Sequence, residues 1–224
     1  MYLDGYWQYW LKYFDLIIAP SIGSTIKMLL ISMIIAFVFG FMLAIMLVTY
    51  GPHGLNPRKK IYHILDFIVN TIRSFPIIIL IVAISPITKI LIGTTIGEAA
   101  AIFPLSLAAT PFLARIIENS FMEVDKQLIE AARSFGASDW QIITRVMVKE
   151  AVPSIVSGTT LCTITFLGAT TMAGAVGAGG IGAVALNYGY QSFNNTVLYT
   201  SVFILFIMVQ IIQCVGNLLY KKIL

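Results

Sequence analysis

The chain has 224 residues, of which 58% are hydrophobic and 11% charged, with a net charge of +4 and a mean hydropathy of +0.91. A soluble domain carries about 25% charged residues, so a chain this apolar cannot cover itself against water and takes lipid as its solvent. The basic excess then marks the cytoplasmic side of a membrane protein rather than a nucleic-acid surface.

Residues 1–21 are aromatic and mixed, with Tyr2, Tyr6, Trp7, Tyr9, Trp10, Tyr13 and Phe14. Such a cluster suits the headgroup region and predicts an outer interfacial arm. Asp4 and Asp15 argue against a cleavable signal peptide there. A first span is expected over 22–48; nothing from Met28 to Tyr50 is charged, and Ala36, Gly40 and Ala44 form a stripe of small residues that allows close helix approach in lipid. A Gly/Pro-rich loop, 51–57, leads to Arg58, Lys59 and Lys60.

The second span, 61–84, carries Asp66, Arg73 and Pro76. Charges at membrane depth generally face a bundle interior or a wet cavity. Asp66 is expected at the headgroup boundary without a partner, whereas Arg73 lies deeper and is assigned a functional or architectural role. The third span, 95–116, is bracketed by Glu98 and Arg115 and interrupted by Pro104 and Pro111, whose freed carbonyls neighbours must satisfy.

A charged insert follows over 118–150. A short turn would join two spans equally well, so an insert of this length is expected to touch something in water. Leu128, Ile129, Ala132 and Phe135 share helical spacing, as do Trp140, Ile143 and Met147. Gly136 is placed to end a first helix, and Ser138 to Gln141 fits a capping box that starts a second. Two short helices meeting at a sharp corner are predicted, their apolar sides resting on the membrane helices.

No Asp, Glu, Lys or Arg occurs from Ala151 to Tyr220, room for two further spans, 154–175 and 197–219, joined by a Gly-rich run and a polar aromatic loop at 187–195. The prediction is an all-α integral membrane protein of about five transmembrane helices. Ten basic residues fall on the side of the insert and three on the other, Arg73 left aside, which puts the N-terminus outside and the C-terminus in the cytoplasm.

Gly177-x-Gly179-x-x-Gly182 matches a dinucleotide fingerprint by letter, but it follows a membrane span where the fingerprint requires a strand. There is no phosphate-cradling P-loop and no Ser-His-Asp set. Cys162 and Cys214 lie in apolar runs without metal-ligand spacing. No catalysis, cofactor or metal is expected on this chain.

Glu130-Ala131-Ala132, three residues, Gly136 and an apolar stretch to Val148 together resemble the EAA loop of type I ABC importer permeases. Val146 stands where isoleucine is usual and Val148-Lys149 where Leu-Pro is usual. Arg73-Ser74-Phe75-Pro76, Thr110 to Arg115 and the run Gly174 to Gly182 resemble the permeases of methionine ABC importers over about 22–218. The resemblance implies the type I importer permease fold, a second copy of the chain, two cytoplasmic ATPases that hold the ATP and magnesium, and an extracellular or lipid-anchored binding protein. It implies ATPase coupling through Glu130, Ala131, Ala132, Gly136, Ala137 and Ser138. Met172, Thr171, Thr170, Phe75, Pro76 and Arg73 are the candidates for the passage or its gate. Alternatives are an importer for another amino acid or small solute, and an ATP-independent secondary transporter. The latter usually shows internal repeats and a charged midplane site, and it leaves the insert without a task.

Overall fold

The computed structural model describes residues 13–223, all of them in helices and their connections. The chain runs through α1 (Phe14–Tyr50), α2 (Lys59–Ser74), α3 (Ile77–Ala83), α4 (Ser85–Ile92), α5 (Glu98–Met122), α6 (Lys126–Ser134) and α7 (Asp139–Ala178). It ends in α8, residues 180–190, and α9 (Asn195–Ile223). Among the described residues, α1, α5, α7 and α9 are long and apolar enough to cross a membrane, and α2 with α3 makes a fifth if that broken pair counts as one span.

Several expected boundaries move. Helix α1 begins at Phe14, because its backbone bonds run without a break from the aromatic stretch into the span; residues 1–12 of the expected arm lie outside the described residues. The second crossing breaks at Phe75 and Pro76, which are extended at ψ 133° and 132°. A residue before proline is pushed out of the α region and proline offers no N–H, so the ladder stops there. Beyond the break lies α4, absent from the sequence expectation. It has a proline in its first turn and left-handed Gly93 at its end, the usual punctuation of a short helix. The second helix of the insert is not separate: from Asp139 its helical backbone continues into α7 and includes Pro153. The expected loop at 187–195 is helical as far as Tyr190.

By internal packing the chain forms two units, each built from three stretches. The first holds Met1–Ser32, Pro76–Ser106 and Ile164–Ile211. Here Thr25 of α1 accepts a hydrogen bond from the Ile181 amide at 2.8 Å, and the Gly97 amide donates to the Gly177 carbonyl at 2.9 Å. Glu98 accepts from the Ser24 hydroxyl at 2.5 Å and pairs with Lys27 at 3.4 Å. A core of Ile18, Ile181, Val184 and Val197 closes this unit.

The second unit holds Met33–Phe75, Leu107–Thr163 and Ile212–Leu224. The small-residue stripe does here what its spacing suggests. Ala36, Gly40 and Ala44 are all buried, and a side chain on Gly40 would lie 2.9 Å from the Thr110 carbonyl oxygen of α5. Asp66 departs from expectation: it is not unpartnered but pairs with Arg115, which also donates to Glu118 at 2.7 Å and Asn70 at 3.3 Å. Burial explains the pairing, since the Arg115 side chain is only 16% exposed and a charge there needs counter-charges. Outward-facing Leu30, Ile34, Phe39, Phe203, Ile211 and Leu218 show what the surface is made for: a lipid solvent.

Candidate functional site

The insert is built by hydrogen bonds a few residues apart. Asp125 caps α6 by accepting from the Gln127 amide at 2.9 Å. At its other end Gly136 turns left-handed, φ +79°. The Gly136 amide then reaches the Arg133 carbonyl at 2.9 Å and the Ala137 amide reaches the Ala132 carbonyl at 3.1 Å. These two bonds are the Schellman pair, which satisfies carbonyls a helix end would leave bare. Two residues on, Ser138 opens α7 with a complete capping box: its hydroxyl accepts from the Gln141 amide at 3.3 Å, and the Gln141 side chain accepts from the Ser138 amide at 2.9 Å. The spacing of Ala132, Gly136 and Ser138 is therefore the spacing of two caps set back to back. No residue between the helices is left to swing freely.

The corner is also tied down from outside. Arg133 donates to the Leu55 carbonyl at 2.7 Å and lies 3.7 Å from Asp139 across the turn. A cavity of about 270 Å³ lies beside α6, with Glu130, Arg133, Lys126 and His53 among its lining. Glu130, Ala131 and Ser138 are exposed, Ala132 and Ala137 half-buried.

One part of the expectation is overturned. The apolar spacing placed Phe135 and Trp140 with the side that rests on the membrane helices. Instead Phe135 is 92% exposed and Trp140 65%, with Leu128 exposed beside them. Ile142, Ile143 and Met147 are the buried anchors. The reason is the corner itself: the left-handed turn at Gly136 throws Phe135 outward, and Trp140 sits in the first turn beyond the cap. Large apolar side chains held bare on a rigid turn mark an interaction surface. Sequence reasoning missed the exposure of Phe135 and Trp140, although their size at the tip of a charged insert was the available clue.

The passage candidates fall in two places. In the first unit, Met172 is 48% exposed on α7. Thr170 is 2% exposed and donates to the Leu167 carbonyl at 2.7 Å, while Thr171 donates to Gly168 at 2.7 Å. Pro76 starts α3 at the bend. In the second unit, Phe75 is 48% exposed, and the Arg73 guanidinium lies 5.0 Å from the centre of the Phe112 ring.

The Gly-rich run ends α7 with a reversal. Val176 and Gly177 leave helical geometry, and Gly177, Gly179 and Gly180 all have positive φ. A Cβ on Gly174 would lie 2.6 Å from the Ala183 amide nitrogen, and one on Gly182 would lie 2.3 Å from Thr171 Cα. The run lets α8 fold back onto the end of α7 backbone to backbone. A helix, not a strand, precedes it, so the fingerprint read by letter serves packing. Among the described residues no three His, Cys, Asp or Glu side chains cluster as a metal would need.

A rigid two-helix corner on a bundle of membrane helices is the geometry to set against known proteins. Residues 36–223 match the family described as the binding-protein-dependent transport system inner membrane component. The chain belongs to that family. It is therefore a permease of the cell membrane and not itself an enzyme. A probable D-methionine transport system permease protein of Vibrio cholerae is 39% identical over 93% of this chain and 92% of its own. The methionine import system permease protein of Bacillus subtilis is 40% identical over 74% and 75%. Among solved structures, an inward-facing form of the MetNI methionine ABC transporter superposes with a TM-score of 0.91 at 38% identity, covering 93% of this chain and 96% of that one. An amino acid ABC transporter solved with histidines, 19% identical at a TM-score of 0.78, shares the fold. The type I importer permease fold expected from the EAA resemblance is the fold of this chain.

Proposed function

We propose that this chain is the membrane-spanning subunit of an ATP-driven methionine importer and works as one of a pair. The single observation that carries the coupling assignment is the hydrogen-bonded corner at Gly136 with Phe135 and Trp140 bare upon it. The likeness to methionine permease proteins over nearly the whole chain carries the cargo.

In this reading residues 22–218 make the membrane domain, with the N-terminus outside and the insert and C-terminus in the cytoplasm. The corner, with Glu130, Ala131, Ala132, Gly136, Ala137 and Ser138 framing it, sits in a groove of a cytoplasmic ATPase subunit that holds the ATP and magnesium. A second ATPase meets the second copy, and an outer binding protein delivers cargo. A ligand or a fuel moves a two-state machine only through contacts that differ between the states. Closure of the ATPase pair moves the corner, and the helical backbone of the corner's second helix continues from Asp139 into α7. The corner and the start of α7 therefore move as one piece, as rigid-element switching requires. Phe75, Pro76, Met172, Thr170, Thr171 and Arg73 are assigned to the passage and its gate, Thr170 and Thr171 by shaping the α7 end rather than by touching cargo.

The expected result of co-expressing the chain with its partner ABC ATPase subunit is a complex that survives detergent extraction and gel filtration. Phe135→Asp should break that complex while the permease remains in the membrane fraction. An ATPase that stays bound to Phe135→Asp would remove the corner from the interface.

A further inference from the structure

The least comfortable charge in this chain is Arg73. It sits in the last turn of α2, some 20 Å of helix rise from Lys59 at about 1.5 Å per residue. Its side chain is exposed in the isolated chain. Among the described residues it forms no ion pair and donates no hydrogen bond; its one recorded contact is the face of Phe112 at 5.0 Å. The acids nearest to it in α2 and α5 are taken. Asp66 and Glu118 both engage Arg115, and Asp66 also accepts from Asn70 at 3.1 Å.

An arginine stays protonated under all ordinary conditions. An unpaired charge within a span turns to a wet cavity or a partner, because facing hydrocarbon is costly. The face of α2 that carries Arg73 is therefore the face turned away from lipid. Two features hold the charge in readiness. The C-terminal end of α2 favours a cation through its backbone dipole, and the Phe112 ring holds the guanidinium carbon 5.0 Å from its centre while, among the described residues, none of its five N–H groups is hydrogen-bonded. A planar fork with free donors matches a carboxylate.

We propose that Arg73 is the counter-ion for the carboxylate of the amino-acid cargo inside the passage. This rests on the importer reading above, and it goes further by giving the passage a chemical preference of its own. The cargo brings the carboxylate that no described residue of this chain sets against Arg73. A solute without a carboxylate leaves the guanidinium unpaired and gains nothing there.

The test uses the complete complex of permease pair, ATPase pair and binding protein in proteoliposomes, with wild type, Arg73→Lys and Arg73→Met measured side by side. Uptake of labelled methionine and ATP hydrolysis are followed together. Arg73→Met is expected to keep hydrolysis stimulated by the loaded binding protein and to lose uptake by about tenfold to a hundredfold, the worth of a charge-assisted hydrogen bond. Arg73→Lys keeps the charge without the fork and is expected to recover part of the lost uptake. Equal uptake in Arg73→Met and wild type overturns the proposal, as it would if the guanidinium only reached headgroups. So does a parallel fall of uptake and hydrolysis in both variants, which marks a purely structural arginine. Wild type that hydrolyses ATP without importing methionine would instead overturn the cargo assignment.

Discussion

Gly136→Val is expected to leave the permease in the membrane in near-normal amount and to reduce ATP-driven uptake about tenfold or more. The effect does not come from crowding, because a side chain at Gly136 would meet nothing within 4 Å. It comes from the backbone: φ is +79°, a region that costs an L-residue about 1–2 kcal/mol and a β-branched one more. The valine chain escapes by opening the turn. The Ala137 to Ala132 and Gly136 to Arg133 bonds are then lost, Phe135 and Trp140 no longer share one rigid tip, and the ATPase pushes on a loose loop. About 1.4 kcal/mol is tenfold in an equilibrium, so strain of this size is enough to empty the docked corner. Gly136→Asn separates this from any generic intolerance. Asparagine enters the left-handed region readily, so this variant should couple nearly as well as wild type. The measurement is uptake per permease in vesicles, with membrane content checked by blotting; an uncoupled Asn variant beside a working Val variant would reverse the argument.

Gly182→Ala has the other large effect, on folding. Its Cβ would come within 2.3 Å of Thr171 Cα and 3.0 Å of the Thr171 carbonyl oxygen. Both belong to backbone that cannot rotate aside, and on the facing helix a Cβ at Gly174 would likewise come within 2.6 Å of the Ala183 amide nitrogen. Overpacking of this kind costs about 3 kcal/mol. The fold-back of α8 onto α7 must then open, and with it the hydrogen bond from Ile181 to Thr25. Melting of the detergent-purified complex should fall by several degrees, with a lower yield. Gly168→Ala on the same helix is the control: nothing lies within 4 Å of its added methyl, and alanine is the better helix former by about 1 kcal/mol. It should melt no lower than wild type.

These two glycines also show where the sequence could be read and where it could not. The corner was legible because its signals are local: a left-handed glycine ends a helix and a Ser-x-x-Gln box begins one within six residues. The small-residue stripe of α1 was legible for the same reason, as a spacing on one helix. The direction of Phe135 and Trp140 was not. Helical spacing defines a stripe, but which stripe is buried depends on how the turn aims it. The pairing of Asp66 with Arg115 joins residues far apart in the chain, and no local pattern announces it. Pro76 lies inside the expected span 61–84, and the break it makes went unread. The continuity of α7 was hidden because a change from charged to apolar composition looks like a boundary, while the backbone bonds pass straight through it.

The most direct measurement is uptake of labelled methionine into proteoliposomes that contain the permease, its partner ABC ATPase and the binding protein outside. Uptake that requires ATP inside, is competed by unlabelled methionine and not by other amino acids, and falls about tenfold or more with Gly136→Val is the predicted result. Methionine entry that continues at the same rate without ATP or without the ATPase would contradict the account.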